Sequence, residues 1–285
     1  MKYIFLLGDP IAHSLSPIMH NAALCALGLE GWRYELLQVP SDALPTAVAR
    51  LRQEDCIGAN VTIPHKEAVV EWLDELGASA RRIGAVNTVV KRNGKLIGEN
   101  TDGYGALQAL SEAGFHPHGA RAVILGAGGA ARAVAFALAQ VGARRLTILN
   151  RTPARAEALA ESLRQQFPRL ALAALPRLTE ALGAADLVVN ATAVGTAPNV
   201  NESPLPAGCT VPRGAVAFDL VYRPAQTRFL RDAAAAGART VGGLGMLVHQ
   251  GAAALRLWMG QAPLAVMLDA VRQAIGNEES NDRAF

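Results

Sequence analysis

Gly126-Ala-Gly-Gly-Ala-Ala131 follows the apolar run 122–125 and opens an alanine-rich stretch of helical periodicity. A strand that turns on glycines straight into a helix leaves few folds open. The glycines permit a tight turn and let a pyrophosphate approach the backbone, above the helix N-terminus and its positive dipole. The pattern G-x-G-x-x-A in this setting, carried by Gly126, Ala127, Gly128, Gly129 and Ala130, reads as a dinucleotide-binding loop. The plainer alternative is a glycine turn that only packs helix on sheet. From about residue 104 apolar runs recur at 122–125, 146–149, 170–174, 187–190, 216–220 and 240–241, with helical stretches between them. Six strands so spaced fit two βαβαβ halves of a Rossmann-type doubly wound sheet.

The second of these strands ends at Asn150-Arg-Thr152. An NAD site places an acid here for the ribose hydroxyl, and no acid occurs until Glu157. Arg151 and Arg155 instead offer guanidinium groups to a 2′-phosphate, which predicts NADP(H) over NAD(H). Arg155 as a solvated helix residue, with Arg151 acting alone, is the alternative. Asn190-Ala-Thr192 and Gly242-Gly243-Leu-Gly245 end the fourth and sixth strands on the same carboxyl edge, where open α/β sheets bind ligands. The glycines at 242–245 would let a nicotinamide ring approach backbone, although either segment also fits a plain strand-to-helix turn.

The first hundred residues alternate strand-like runs at 3–7, 33–39 and 58–61 with helical patterns at 17–27, 44–53 and 65–76. That alternation predicts a second α/β domain with a mainly parallel sheet. In the 65–76 segment Val69, Trp72, Leu73 and Leu76 recur at helical spacing and are expected to face a core, with Pro64 near the helix start. Residues 86–91 and 95–98 flank Arg92-Asn-Gly94, a hairpin signal. A helix to Trp258 and another over 263–275 exceed what the six-strand unit needs, and are assigned to the first domain. The expected domains are 1–103 with 246–285, for substrate, and 104–245, for the nucleotide. The polar stretch 277–285 is expected to fray.

At 285 residues the chain can bury two cores. A net charge of +3, from scattered basic residues, argues against a nucleic-acid footprint. The apolar run 4–7 stops at Gly8-Asp-Pro10, short of a signal-peptide core, and no apolar stretch reaches the roughly 18 residues of a membrane span. The expectation is a cytoplasmic protein with a small-molecule substrate, and the sequence leaves its oligomeric state open. Cys25, Cys56 and Cys209 lack CxxC spacing and are expected to be buried, reduced thiols. The six histidines show no HExxH or other tight ligand pair, so no catalytic metal is expected.

Only four residues are lysines, and one of them, Lys66, stands in Asn60-Val-Thr-Ile-Pro-His-Lys66 at a strand-to-helix turn. Lysine can release a proton where arginine effectively cannot. Asn100-Thr-Asp102-Gly103 offers a carboxylate at another strand end, so Lys66 and Asp102 form an acid/base site if the fold joins them. A structural ion pair is the alternative. Ser14 and Ser16 lie in the loop after the first strand, where they could bind a carboxylate, or Ser16 could merely cap the following helix. With Asn60, Thr62 and Asn87, uncharged hydrogen-bonding groups collect at strand ends, as suits a small polyhydroxylated ligand.

Taken in order, the Ser14/Ser16 segment, Asn60 to Lys66, Gly84-Ala-Val-Asn-Thr88, Asn100 to Gly103, Gly126 to Ala131, Asn150 to Thr152, Asp219-Leu-Val-Tyr222-Arg-Pro224 and Gly243-Leu-Gly-Met-Leu247 with Gln250 resemble the shikimate dehydrogenase family over nearly the whole chain. The resemblance implies NADPH-dependent reduction of 3-dehydroshikimate to shikimate, a step of aromatic amino acid biosynthesis. It implies that Ser14 and Ser16 hold the substrate carboxylate with Tyr222 nearby. Asn60, Thr62, Asn87, Asp102 and Gln250 would bind ring hydroxyls and position Lys66. Leu220 would lie near the nicotinamide, a role that rests on the resemblance alone. Ala193 stands where the family often has serine, which removes a side-chain contact there but leaves Thr192. Gly77-Ala78 stands where some members carry an acid, so no cofactor contact is expected from it. A relative acting on quinate or another hydroxy acid is the nearest rival; a non-catalytic NADP(H)-binding protein gives no reason for Lys66 and Asp102 to coexist with the hydroxyl-binding cluster.

Overall fold

Alternation of short apolar strands with helices governs the whole chain, and the computed structural model, which describes residues 1–174 and 178–282 (side chains to 276), resolves it into two sheets. The elements of the first are β1 (Lys2–Gly8), α1 (Ser16–Ala26), β2 (Trp32–Gln38), α2 (Leu44–Leu51), β3 (Cys56–Val61), β4 (Glu75–Leu76), α3 (Ala78–Ile83), β5 (Thr88–Arg92) and β6 (Lys95–Glu99). The second has α4 (Asp102–Glu112), β7 (Arg121–Leu125), α5 (Gly129–Gln140), β8 (Arg145–Leu149), α6 (Pro153–Gln166), β9 (Ala171–Ala174), α7 (Leu178–Gly183), β10 (Leu187–Asn190), β11 (Val216–Asp219), α8 (Arg228–Ala235) and β12 (Arg239–Val241). Helices α9 (Gly243–Met259) and α10 (Leu264–Asp282) close the chain. Two compact units result, one of residues 1–101 with 248–285 and one of 102–247.

In the first unit the strand order is β2-β1-β3-β5-β6-β4. Strand β1 runs parallel to both β2 and β3, β4 is parallel to β6, and β5 is antiparallel to β3 and β6. The β5–β6 hairpin turns on Asn93 and Gly94, both at positive φ (51° and 78°), the pair of left-handed residues that an Asn-Gly turn supplies. Leu7, Val61, Val86, Val89 and Leu96 form its core with Leu51 of α2. Helix α10 packs on α1 within the same unit.

The segment 65–76 departs from the expected helix. Only a short 3₁₀ turn forms, over Ala68–Trp72, after which Leu73 is extended and residues 75–76 join the sheet. Val69 is buried as expected, whereas Trp72 is 45% exposed. The competing pull comes from β6: the Leu96 N–H donates to the Asp74 carboxylate at 2.7 Å, and the N–H groups of Asp74 and Gly77 donate to Leu96 O and Gly98 O. A neighbouring strand with open backbone groups outweighs a weak helical preference in a run containing Val69 and Val70. Lys66 therefore sits in a turn, not in a helix.

The second unit is an all-parallel sheet in the order β12-β11-β10-β7-β8-β9. Every residue of β10 and β11 is buried, as expected of central strands covered on both faces. The order reverses between β7 and β10, which is where such sheets open for ligands. Small residues bring α5 close to its neighbours: a side chain at Gly103 of α4 would meet the Ala133 carbonyl at 2.9 Å. Helix α10 runs to Asp282, past the expected end near 275 and into the stretch expected to fray, whose last three residues lie outside the described ones. Cys56 is buried but Cys25 is exposed and Cys209 half-buried, so only one of the three thiols meets expectation. No helix among the described residues is long and apolar enough to cross a membrane.

Candidate functional site

In the first unit the polar side chains at the strand ends form one network centred on Asn87. Its Nδ2 donates to Thr101 Oγ1 at 2.8 Å and to Gln250 Oε1 at 3.1 Å. Its Oδ1 accepts from the Thr101 N–H at 2.8 Å and from Thr88 Oγ1 at 3.0 Å. Gln250, 163 residues away on α9, is thus drawn to the same point, which local sequence could not indicate. Asn60 lies beside it: its Oδ1 accepts from the Tyr34 hydroxyl at 2.8 Å, and its Nδ2 donates to Asn87 O and Thr88 Oγ1. Asn60, Asn87, Thr88 and Thr101 are all buried, so their pairing is what makes the cluster tolerable. Asp102, also buried, follows Thr101 directly and is the first residue of α4, where a carboxylate meets the positive end of the helix dipole.

Lys66 is half-buried in the turn after β3, and its carbonyl accepts from the Val86 N–H at 2.7 Å. His65 beside it is buried with Nε2 2.6 Å from Val39 O, a structural anchor for that turn. Thr62, half-buried, holds the turn through its backbone, donating to Leu7 O and accepting from the His65 N–H, both at 2.8 Å. In the loop after β1, Ser14 Oγ accepts from the Ser16 N–H at 3.2 Å. Ser16 is the first residue of α1, whose N-cap is Leu15 with no side-chain cap bond, so Ser16 does not cap the helix.

At the carboxyl edge of the second sheet, Gly126 has φ +115°, and a side chain there would meet the Ala191 carbonyl at 2.9 Å; glycine is demanded both by conformation and by the neighbouring strand end. Gly128 is the N-cap of α5, with no side-chain cap bond, and a Cβ on it would meet nothing within 4 Å. The first N–H groups of α5 thus have no side-chain cap, and the space beside Gly128 is open. Asn150 Nδ2 donates to Thr152 O at 2.9 Å, bracing the turn that leads into α6. Arg151, Thr152 and Arg155 are exposed around the N-terminus of that helix. Thr192 is fixed to Asn190, whose Oδ1 accepts from the Thr192 hydroxyl at 2.7 Å and its N–H at 3.1 Å. The bare face of Gly243 lies against the Leu220 carbonyl, and its N–H donates to Val221 O at 3.3 Å. Tyr222, half-buried, lines a cavity of about 230 Å³ with Leu230, Thr240, Gly242, Gly243 and Leu244.

Three family models match the chain: a shikimate dehydrogenase substrate binding domain over residues 6–89, a shikimate/quinate 5-dehydrogenase over 108–219, and a shikimate 5′-dehydrogenase C-terminal domain over 243–272. A shikimate dehydrogenase (NADP(+)) of Moorella thermoacetica is 50% identical over 284 residues, covering 96% of this chain and 93% of the relative. That of Symbiobacterium thermophilum is 49% identical over 279 residues, covering 96% and 95%. The chain belongs to the shikimate dehydrogenase family. Among solved structures, a Thermus thermophilus shikimate 5-dehydrogenase in complex with NADP(H) and shikimate is 46% identical, with a TM-score of 0.85 over 96% of this chain and 100% of that one.

As a member of the shikimate dehydrogenase family the chain shows residues in supporting positions that sequence reasoning passed over. Tyr34, Thr88 and Thr101 hold the Asn60 and Asn87 amides. Strand register puts Asn190 level with Asp219. The Asp219 carboxylate accepts from Asn190 Nδ2 at 2.9 Å and from the Thr227 hydroxyl at 2.6 Å. An NADP(H) molecule fits the donor set of this unit: uncapped N–H groups at α5 beside a glycine that opens the approach, and exposed guanidinium groups at the start of α6.

Proposed function

We propose that the protein catalyses the reversible NADPH-dependent reduction of 3-dehydroshikimate to shikimate, in aromatic amino acid biosynthesis and in the cytoplasm. The observation that supports this most is the convergence on Asn87 of Gln250 and Thr101, with Asp102 next in the chain. In this reading residues 1–103 and 246–285 serve the substrate and 104–245 the nucleotide. Ser14 and Ser16 bind the substrate carboxylate, with Tyr222 nearby. Asn60, Thr62, Asn87, Asp102 and Gln250 orient the ring hydroxyls and Lys66. The loop Gly126, Ala127, Gly128, Gly129 and Ala130 holds the pyrophosphate, with Asn150, Arg151, Thr152 and Arg155 at the adenosine 2′-phosphate and Thr192, Leu220 and Gly243 toward the nicotinamide.

NADPH, when bound, supplies the hydride. The protein's own part is to deliver a proton to the ketone oxygen as negative charge develops there, and Lys66 as ammonium is that donor. Asp102 orients it. In the reverse direction neutral Lys66 accepts the alcohol proton. The test follows reduced-cofactor absorbance with shikimate and with quinate, each with NADP and with NAD. Turnover is expected with shikimate and NADP; silence with all four pairs would leave only a binding protein, and a preference for quinate would move the substrate assignment.

A further inference from the structure

At the carboxyl end of β11 stands a buried acid that has no ionic partner among the described residues. Asp219 has no solvent exposure. Its Oδ1 accepts from Asn190 Nδ2 at 2.9 Å and from the Val221 N–H at 3.0 Å, and its Oδ2 accepts from the Thr227 hydroxyl at 2.6 Å. Every one of these donors is neutral. Burial lifts its pKa from the ordinary 3.8 to about 6, against the opposing pull of the three hydrogen bonds. At neutral pH the group is still mostly ionised.

Among the described residues, the charged groups on the surrounding elements do not compensate it. Arg228 pairs with Asp232 on α8 and donates to Asn201 O, while Arg231 donates to Gln226 O. Arg239 is level with Val216, at the opposite end of β11, and Asp186, which precedes β10, pairs with Arg121. Glu202, in the segment after β10, and Arg223, in the loop after Asp219, are not among the partners of the carboxylate. An asparagine oxygen of the same shape could accept from Asn190 and Val221, while its NH2 group would face the Thr227 hydroxyl, which would have to turn and accept instead of donate. What asparagine lacks is the charge and the second acceptor.

That charge sits under a particular corner. Leu220 follows Asp219 and donates its N–H to Asn190 O at 2.9 Å, and its carbonyl is covered by the bare face of Gly243. Asn190 in turn holds Thr192. An oxidised nicotinamide ring is cationic and a reduced one is neutral, so a fixed anion at this corner favours the oxidised form, which is the product side of hydride donation.

We infer that Asp219 is an electrostatic positioning residue: its carboxylate orders the Leu220–Gly243 corner through Asn190, Val221 and Thr227, and its charge makes the protein bind the oxidised nicotinamide cofactor more tightly relative to the reduced one. This rests on the reading above that Leu220 and Gly243 face the nicotinamide. A purely structural role would weaken both cofactor forms together; a role of charge changes their ratio.

The experiment measures Kd for NADP+ and for NADPH by calorimetry on the full chain and on Asp219→Asn. The ratio Kd(NADPH)/Kd(NADP+) is expected to fall by about tenfold in the variant, with NADP+ losing the affinity. A ratio unchanged in a folded variant overturns the inference, whether or not both forms weaken. Should the variant not fold, the unmutated protein decides at about pH 5 and about pH 8: protonating the carboxylate is expected to lower the ratio several-fold at the acid end. Both cofactor forms carry the same phosphates, whose titration cancels in the ratio. A ratio equal at the two pH values overturns the inference. Binding of both forms with an unchanged ratio removes this inference alone, whereas binding of neither form to the unmutated protein removes the functional reading and this inference with it.

Discussion

In the first unit the buried polar groups at the strand ends, Asn60, Asn87, Thr88 and Thr101, are amides and hydroxyls that satisfy one another, with the buried Asp102 next in the chain at the start of α4, whereas in the second the matching edge sets a carboxylate, Asp219, in the middle of its network. The difference follows from what each edge has to hold. Neutral groups can present both donors and acceptors to a hydroxylated ring, and they leave proton transfer to Lys66. A nucleotide edge works mostly through backbone, with Gly126 and Gly243 packed against the Ala191 and Leu220 carbonyls and Gly128 opening on free space, so its few side chains set charge rather than shape. Variants on the two edges should therefore fail differently.

The largest effect is expected on the first edge. Lys66→Ala should lower kcat by about a hundredfold to ten-thousandfold, the range for a lost general acid. Substrate affinity should change much less, and cofactor affinity hardly at all. Steady-state kinetics with direct cofactor titration would show it, and near-normal turnover would sink the role of Lys66. On the second edge, Arg151→Ala should weaken NADPH by about tenfold to a hundredfold, the loss of one charged hydrogen bond of roughly 1.5 to 3 kcal/mol, while leaving NADH and kcat nearly as they were. Equal weakening of NADPH and NADH would mean that Arg151 does not read the 2′-phosphate, and the contrast between the edges would lose its specificity element.

How far these edges could be read in the sequence differs in the same way. The second sheet was legible because its strands are short apolar runs, of which β7, β8, β10 and β12 run into Gly126, Asn150, Asn190 and Gly242, and a parallel βαβ unit has few ways to connect them. The first was harder, since a residue spacing that fits a helix at 69–76 also fits a turn followed by an edge strand, and β6 decides between them through Asp74. The side-chain networks were the least legible part. Tyr34 reaches Asn60 across 26 positions, Gln250 reaches Asn87 across 163, and Asp219 meets Asn190 only because parallel register sets them level. Spacing along the chain carries none of this, because register and helix packing are settled by the whole core.

The contrast also extends to stability, where the expected effects are smallest. The first unit buries a neutral base, His20, with neither ring nitrogen partnered and the ring stacked on Tyr34 at 4.3 Å; burial lowers its pKa from 6.5 to about 3. The second buries Asp219, raised from 3.8 to about 6. A depressed histidine contributes stability that is full above pH 6.5 and is lost as pH falls below it, because only the unfolded chain can then take up the proton. A raised carboxyl acts oppositely: its contribution is full below pH 3.8 and is lost as pH rises through about 6. Between about pH 7 and pH 5 the first unit should lose about 2 kcal/mol from His20 while the second gains about 1 kcal/mol from Asp219. The units can be followed separately, since Trp32, Trp72 and Trp258 all lie in the first and indole fluorescence reports it, while amide exchange of residues 216–218 reports the second. His20→Phe should flatten the fluorescence-detected pH slope, and Asp219→Asn should flatten the exchange-detected one and raise protection at pH 8. If both probes move in the same direction on acidification, and neither substitution alters its slope, the two buried groups are not what separates the edges.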